Sequence, residues 1–170
     1  MDVNLLVSYD PKAGYMGGKN EIHDVLTKIG DQKSVQELLV PGIIGVKTKL
    51  DARQVVEDVR ELFLADPLSL NSTLKWVPVD AWCDASVQEI VKIVKDDVKD
   101  LITSDDLYAV EFIKHRGELH HDEVVDAVVS WIKGKVNLER PQKIIRIELF
   151  DKKASVTLLR PKDVFSIAKT

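Results

Sequence analysis

Asn4 to Ser8, an apolar run of Leu5, Leu6 and Val7 between polar ends, predicts a strand, and the stretch through Gly14, Gly17 and Gly18 predicts a mobile loop behind it. Ile22, Val25, Leu26 and Ile29 then recur at helical spacing up to Gly30, a residue type that readily closes a helix. Two β-rich runs, Val35 to Val40 and Ile43 to Leu50, flank Pro41 and Gly42, and together predict an antiparallel hairpin. Asp51 is placed to cap a helix whose stripe is Val55, Val56, Val59, Leu62 and Phe63, and which stops before Pro67. A strand from Thr73 to Val79 completes the order βαββαβ, the split pattern of a ferredoxin-like unit in which two helices cover one face of an antiparallel sheet.

The second half repeats the α/β style without repeating the sequence. Behind Asp84 and Ser86, either of which can cap, Val87, Ile90, Val91, Val94, Val98 and Leu101 trace an amphipathic helix. A strand from Leu107 to Ile113 follows, then a helix over Asp122 to Lys133 with Val125, Val128, Val129 and Ile132 on its stripe and Gly134 at its end. Ile145, Ile147 and Leu149, then Ala154, Val156 and Leu158, alternate with polar residues on either side of Asp151 and Lys152, a second hairpin.

Composition narrows the function classes. A hydrophobic share of 45% in 170 residues supports one or two compact domains, and 31% charged residues with a net charge of −4 argue against a uniformly basic nucleic-acid coat. The single cysteine, Cys83, suits a reducing compartment and is too few for a zinc knuckle, so the expected location is cytoplasmic. No membrane association is expected, because no run approaches a spanning helix, and no DNA partner is expected. The charge is uneven: from Leu107 onward there are 12 Lys or Arg against 9 Asp or Glu, a balance of +3 that leaves −7 for the rest. Lys133, Lys135, Arg140, Lys143 and Arg146 stand against the single acid Glu139, with Asn137 and Gln142 as hydrogen-bonding groups. Lys114, His115 and Arg116 form a second basic group, with His120 and His121 close by. Such cations can neutralise phosphates, and they can equally form a solvated face.

Other chemistry is harder to place. His115, His120 and His121 lack the i,i+4 spacing of a helical metal site, so no metal is expected; they remain loop histidines or groups that bind exposed bases. The glycines at 14 to 18 lack the Lys-Ser/Thr ending of a P-loop. Trp76, Trp82 and Trp131 can offer stacking platforms, although Trp131 adjoins an apolar stripe and is expected in the core. A nucleophile assembled from Cys83 and a histidine has no motif around it. An enzyme built from scattered residues and a protein-interaction module that meets an acidic partner remain the competing classes.

The segments Lys114-His115-Arg116-Gly117 and Lys135-Val136-Asn137-Leu138-Glu139-Arg140-Pro141-Gln142-Lys143-Ile144, in that order around a helix, resemble the THUMP-domain family of RNA-modification proteins. The resemblance covers Leu74 to Ile167 and rests most on the run of Val136, Asn137, Leu138 and Pro141 before a hairpin. It implies an α/β (α+β) chain with a ferredoxin-like domain over residues 1–73 and a THUMP domain over 74–170. Lys75 to Asp80 and Lys162 to Lys169 look most like the stand-alone, Tan-type tRNA-acetylation adaptors of that family. This resemblance implies a non-catalytic protein without a cofactor, which binds tRNA and presents it to a separate RNA cytidine acetyltransferase for N4-acetylation; service to thiolation or methylation is the alternative. The implied RNA-binding residues are Lys114, His115, Arg116, Lys133, Lys135, Asn137, Arg140, Gln142 and Lys143, and no catalytic residue is expected.

Overall fold

The computed structural model describes residues 1–167, in two compact units. The first comprises Met1–Val79 and the segment from Lys162; the second is Asp80–Pro161. The boundary therefore falls after Val79 rather than after residue 73, because the strand from Thr73 pairs with the first strand of the chain. The C-terminal segment likewise returns to the first unit, by pairing with that same strand from Thr73.

The first unit runs β1 (Leu5–Tyr9), α1 (Gly14–Ile29), β2 (Val35–Val40), β3 (Ile43–Lys47), α2 (Ala52–Ala65) and β4 (Thr73–Pro78). Its strands are antiparallel in the order β4-β1-β3-β2, and Ile22, Leu26, Val55 and Val59 of the two helices pack with Leu5, Val7, Ile44 and Trp76 of the sheet. This is the ferredoxin-like unit expected from the pattern. Asp51 caps α2 by accepting from the Gln54 amide at 3.0 Å. The glycine-rich stretch is not a loop: Gly14, Gly17 and Gly18 lie in α1. Gly18 is needed for packing, since a Cβ there would stand 2.9 Å from the Tyr9 Cβ and 3.1 Å from Ile44 Cδ1. The short C-terminal strand, Phe165–Ser166, adds to β4 and is held from the side of α2. Arg60 Nη2 donates to the carbonyls of Lys162 (2.7 Å) and Val164 (3.0 Å), and Phe63 meets Phe165 with ring centroids 5.4 Å apart. Ala168 and Lys169 of the adaptor-like motif lie outside the described residues.

The second unit begins with β5 (Ala81–Asp84), which at four residues is too short to show a period. Then come α3 (Val87–Ile93), β6 (Leu107–Arg116), α4 (His121–Val129), β7 (Lys135–Val136), β8 (Lys143–Phe150) and β9 (Lys153–Leu159). The sheet order is β5-β9-β8-β6-β7, with β6 parallel to both β7 and β8. Ile90, Val94, Val124 and Val128 of the helical layer pack on Tyr108, Ile145, Ile147 and Leu149. Ser86, not Asp84, caps α3, accepting from the Glu89 amide at 3.1 Å. Beyond Ile93 the helix widens into a π turn over Val94–Val98 and tightens into a 3-10 turn over Lys99–Leu101. The cause is legible in the burial: Ile90, Val94, Val98 and Ile102 are buried at intervals of four, whereas Leu101 is exposed. A four-residue repeat overruns the 3.6-residue α turn, and the wider turn keeps the stripe on the core. Among the described residues no helix is long and apolar enough to cross a membrane.

Candidate nucleic-acid interface

Strand β6 separates the two basic groups. Its first residues pair with β7 (Leu107 with Lys135, Tyr108 with Val136) and with the start of β8 (Tyr108 with Lys143), while Arg116 at its end is opposite Phe150. At about 3.3 Å per residue, the ends of this strand lie about 30 Å apart. Lys133 to Lys143 and Lys114 to Arg116 therefore occupy opposite ends of one sheet and form no single patch.

At the first end, the side chains of Lys133, Lys135 and Arg140 are exposed and make no ion pair with another described residue. Three other predicted contacts build the loop instead. Asn137 Oδ1 accepts from the amides of Glu139 (3.0 Å) and Arg140 (2.9 Å), and its own amide donates to the Tyr108 carbonyl at 2.8 Å. Gln142 extends the pairing of β6, its amide donating to the Leu107 carbonyl and its Oε1 accepting from the Leu107 amide, both at 2.8 Å. Lys143 Nζ donates to Asp106 Oδ2 at 2.9 Å and to the Leu101 carbonyl. The hydrogen bond from Lys143 holds the Asp106 carboxyl below its ordinary value. Gly134 does not end a helix, since α4 stops at Val129. It lets the chain pass close to β6: a Cβ at Gly134 would lie 2.9 Å from the Asp106 carbonyl and 3.0 Å from Tyr108 Cδ1.

The same end holds residues that the sequence pattern did not assign to a site. Trp131 is 41% exposed rather than in the core, and Lys95 Nζ stands 4.3 Å and Lys99 Nζ 5.8 Å from its ring centroid. α4 ends at Val129, and in the turn beyond it Ile132 is buried while Trp131 is exposed. The available signal was the i,i+4 spacing of Lys95 and Lys99, which places both on one side of a helical segment. A cavity of about 560 Å³ lies beside this ring, lined among others by Lys99, Asp100, Thr103, Ser104 and Lys133. All the exposed large hydrophobic residues of the second unit, namely Leu101, Trp131, Val136 and Leu138, belong to segments at this end of β6. Apolar surface interleaved with cations in this way suits bases flanked by phosphates.

The other end is organised differently. Lys114 and Arg116 are exposed and make no ion pair with another described residue, but His115 is engaged. His115 Nε2 lies 2.7 Å from Glu148 Oε1, and its ring stacks on Phe150 at 4.7 Å. Arg146 completes the cluster, donating from Nε to Glu148 Oε2 (2.9 Å) and from Nη1 to Glu111 Oε2 (3.1 Å). Burial pushes the Glu148 carboxyl up, yet its hydrogen bond with His115 and the charge and hydrogen bond of Arg146 outweigh burial and hold it below the ordinary value. Gly117 is conformationally required, with φ +127° and a Cβ position 2.7 Å from Leu149 Cδ2. His120 is exposed and His121 pairs with Asp122 at 3.0 Å. Among the described residues no three His, Cys, Asp or Glu side chains converge as a metal ion would require. Burial, with the charges of Glu89 and Asp84, pushes the Cys83 thiol up to about 11, so it is protonated at neutral pH and unsuited to act as a nucleophile.

No protein-family model matches the sequence, and no curated protein matches it. Solved structures match over 93% of the chain. They include PH1313 from Pyrococcus horikoshii Ot3 (TM-score 0.65, 15% identity, 54% of that chain) and TrmN from Thermus thermophilus (0.60, 14%, 46%). A third is a 4-thiouridine synthetase in complex with RNA and ATP (0.54, 10%, 41%). The chain thus spans about half the length of the proteins it matches, and the likeness is one of fold, which is THUMP-like.

Proposed function

We propose that this protein binds tRNA and presents it to a separate tRNA-modifying enzyme. The observation that carries the reading is the segment at the end of the second sheet in which exposed Lys133, Lys135 and Arg140 alternate with exposed Trp131, Val136 and Leu138, without an ion pair to a described carboxylate on those three cations. Phosphates would be neutralised by the cations with release of counterions, which positions an RNA without reading its sequence. Support for RNA as the ligand comes from the shared fold, since one solved protein of that fold is a synthetase in complex with RNA. Assignment of the chemistry to a second chain, an RNA cytidine acetyltransferase that forms N4-acetylcytidine, rests on the likeness of Lys75–Asp80 and the C-terminal segment to the stand-alone adaptors. The role is one of placement: a tRNA fixed in register brings one cytidine within reach of the partner.

An electrophoretic mobility shift with total tRNA at low and moderate salt, with and without the acetyltransferase, tests the reading. Salt-sensitive retardation that strengthens when the enzyme is present is the expected result. No retardation under any of these conditions overturns it.

A further inference from the structure

We infer that a second copy of this chain docks on the first unit through β2, the two strands pairing antiparallel about a two-fold axis at Val35. Among the described residues the two sheets end in four edge strands. Three are short: four residues in β5 and two each in β7 and the C-terminal strand Phe165–Ser166. β2 has six, Val-Gln-Glu-Leu-Leu-Val, with one charge and no proline, and among the described residues only β3 pairs with it. Val35 is 57% and Leu38 45% exposed. An apolar edge of this length offers a row of unpaired backbone groups, and edges that stay single are normally kept short or blocked by charge, proline or a bulge. The irregularity in the pairing of β2 lies between Leu38 and Val40, which leaves the Val35 end regular.

The side chains select both the occupant and the register. A two-fold axis normal to the sheet sets each residue opposite one on the same face, so the pairing centres on a residue and not between two. Centring on Glu37 opposes two carboxylates, centring on Gln36 sets Val35 against Glu37, and centring on Leu38 falls on the irregularity. Centring on Val35 brings the two valines together and sets Lys33 opposite Glu37 twice, so the segment is its own complement. Lys33, in the turn that leads into the strand, and Glu37 are both exposed and make no ion pair with another described residue. Val35 and Glu37 stand beside Lys47 and Gly45 of β3, whereas Ile44 and Val46 pack under the helices, so these contacts form on the face away from α1 and α2.

Sedimentation equilibrium of the full chain over the micromolar range tests the interface. The wild type is expected to pass from 19.1 kDa toward twice that mass as its concentration rises. Glu37→Lys and Lys33→Glu, each alone, set like charges opposite one another and should weaken self-association about tenfold. Both are surface changes, so their melting temperatures should stay near that of the wild type. The decisive sample is an equimolar mixture of the two variants: one copy then carries two carboxylates where the other carries two ammonium groups, and association should return. A wild type that stays at 19.1 kDa overturns the interface. So does a dimer of unchanged strength in both single variants, which would place the contact elsewhere, and so does a mixture that associates no better than either variant alone. Each of these results leaves the RNA-binding reading standing, since no residue of the basic end takes part.

Discussion

The two ends of β6 carry the same residue types and put them to different use. At the end near Arg116, the imidazole of His115 and the guanidinium of Arg146 converge on Glu148, a carboxylate only 3% exposed, and the cluster is closed by the Phe150 ring. At the end near Leu107, the cations project past the sheet, and only Lys143 among the predicted ones is tied to a carboxylate, Asp106. Counting basic residues along the chain does not separate these cases. A charge whose partner is supplied by the fold contributes to structure, and a charge without one is left for a ligand.

The most severe way to break the first end is Glu148→Gln. It leaves Arg146 and His115 facing a neutral amide in a buried site and should cost about 3 kcal/mol in urea unfolding. Because the folded Glu148 carboxyl is held below its ordinary value of 4.5, its stabilisation is fully present above that value and is lost as the pH falls through the folded value. The melting temperature of the wild type should therefore drop more steeply below about pH 4.5 than that of the variant. Identical acid profiles would remove the carboxylate from this role.

Gly117→Ala acts on the same end through the backbone. A side chain at φ +127°, aimed at Leu149, should destabilise by about 2 kcal/mol, and thermal melting would report it. An unchanged melting curve would mean that the turn relaxes without cost.

The binding contrast is sharpened by two sets of substitutions. Lys133, Lys135 and Arg140 replaced together by Ala should leave the fold intact and reduce the slope of log affinity against log salt by about two to three, one contact per cation lost. Lys114→Ala with Arg116→Ala should reduce it by less than about one if the second end lies outside the main contact. Equal reductions from both sets would extend the interface across both ends of the sheet.

Lys143→Met gives the smallest effect on binding and separates structure from recognition. Its ammonium holds Asp106 and the Leu101 carbonyl, so melting temperature should fall while the salt slope of tRNA binding stays as in the wild type. A reduced slope with unchanged stability would return Lys143 to the phosphate-binding set.

Much of the fold could be read along the chain because it depends on neighbours within a turn or two. The stripes Ile22-Val25-Leu26 and Val55-Val56-Val59, the Asp51 cap and the hairpin at Pro41-Gly42 all occur where the pattern places them, and they imply the ferredoxin-like order. Sequence periodicity failed where elements were too short to have a period, as in β5 and the pairing of Phe165 with Trp76, and where glycines read as a loop served close packing in α1. It also failed for Trp131, which adjoins an apolar stripe in the sequence but lies beyond the end of α4 and is exposed.

By itself, then, the sequence determined the apolar stripes of the helices, the hairpins and the basic bias of the second half, since periodicity, capping and charge are properties of residues close in the chain. Tertiary structure decided which of those charges are free. His115 and Glu148 are 33 residues apart and Lys143 and Asp106 37, yet both pairs meet, and the two basic groups part company, because parallel pairing of β6 with β8 fixes which ends face each other. Strand register is a property of long-range pairing, and no local pattern contains it.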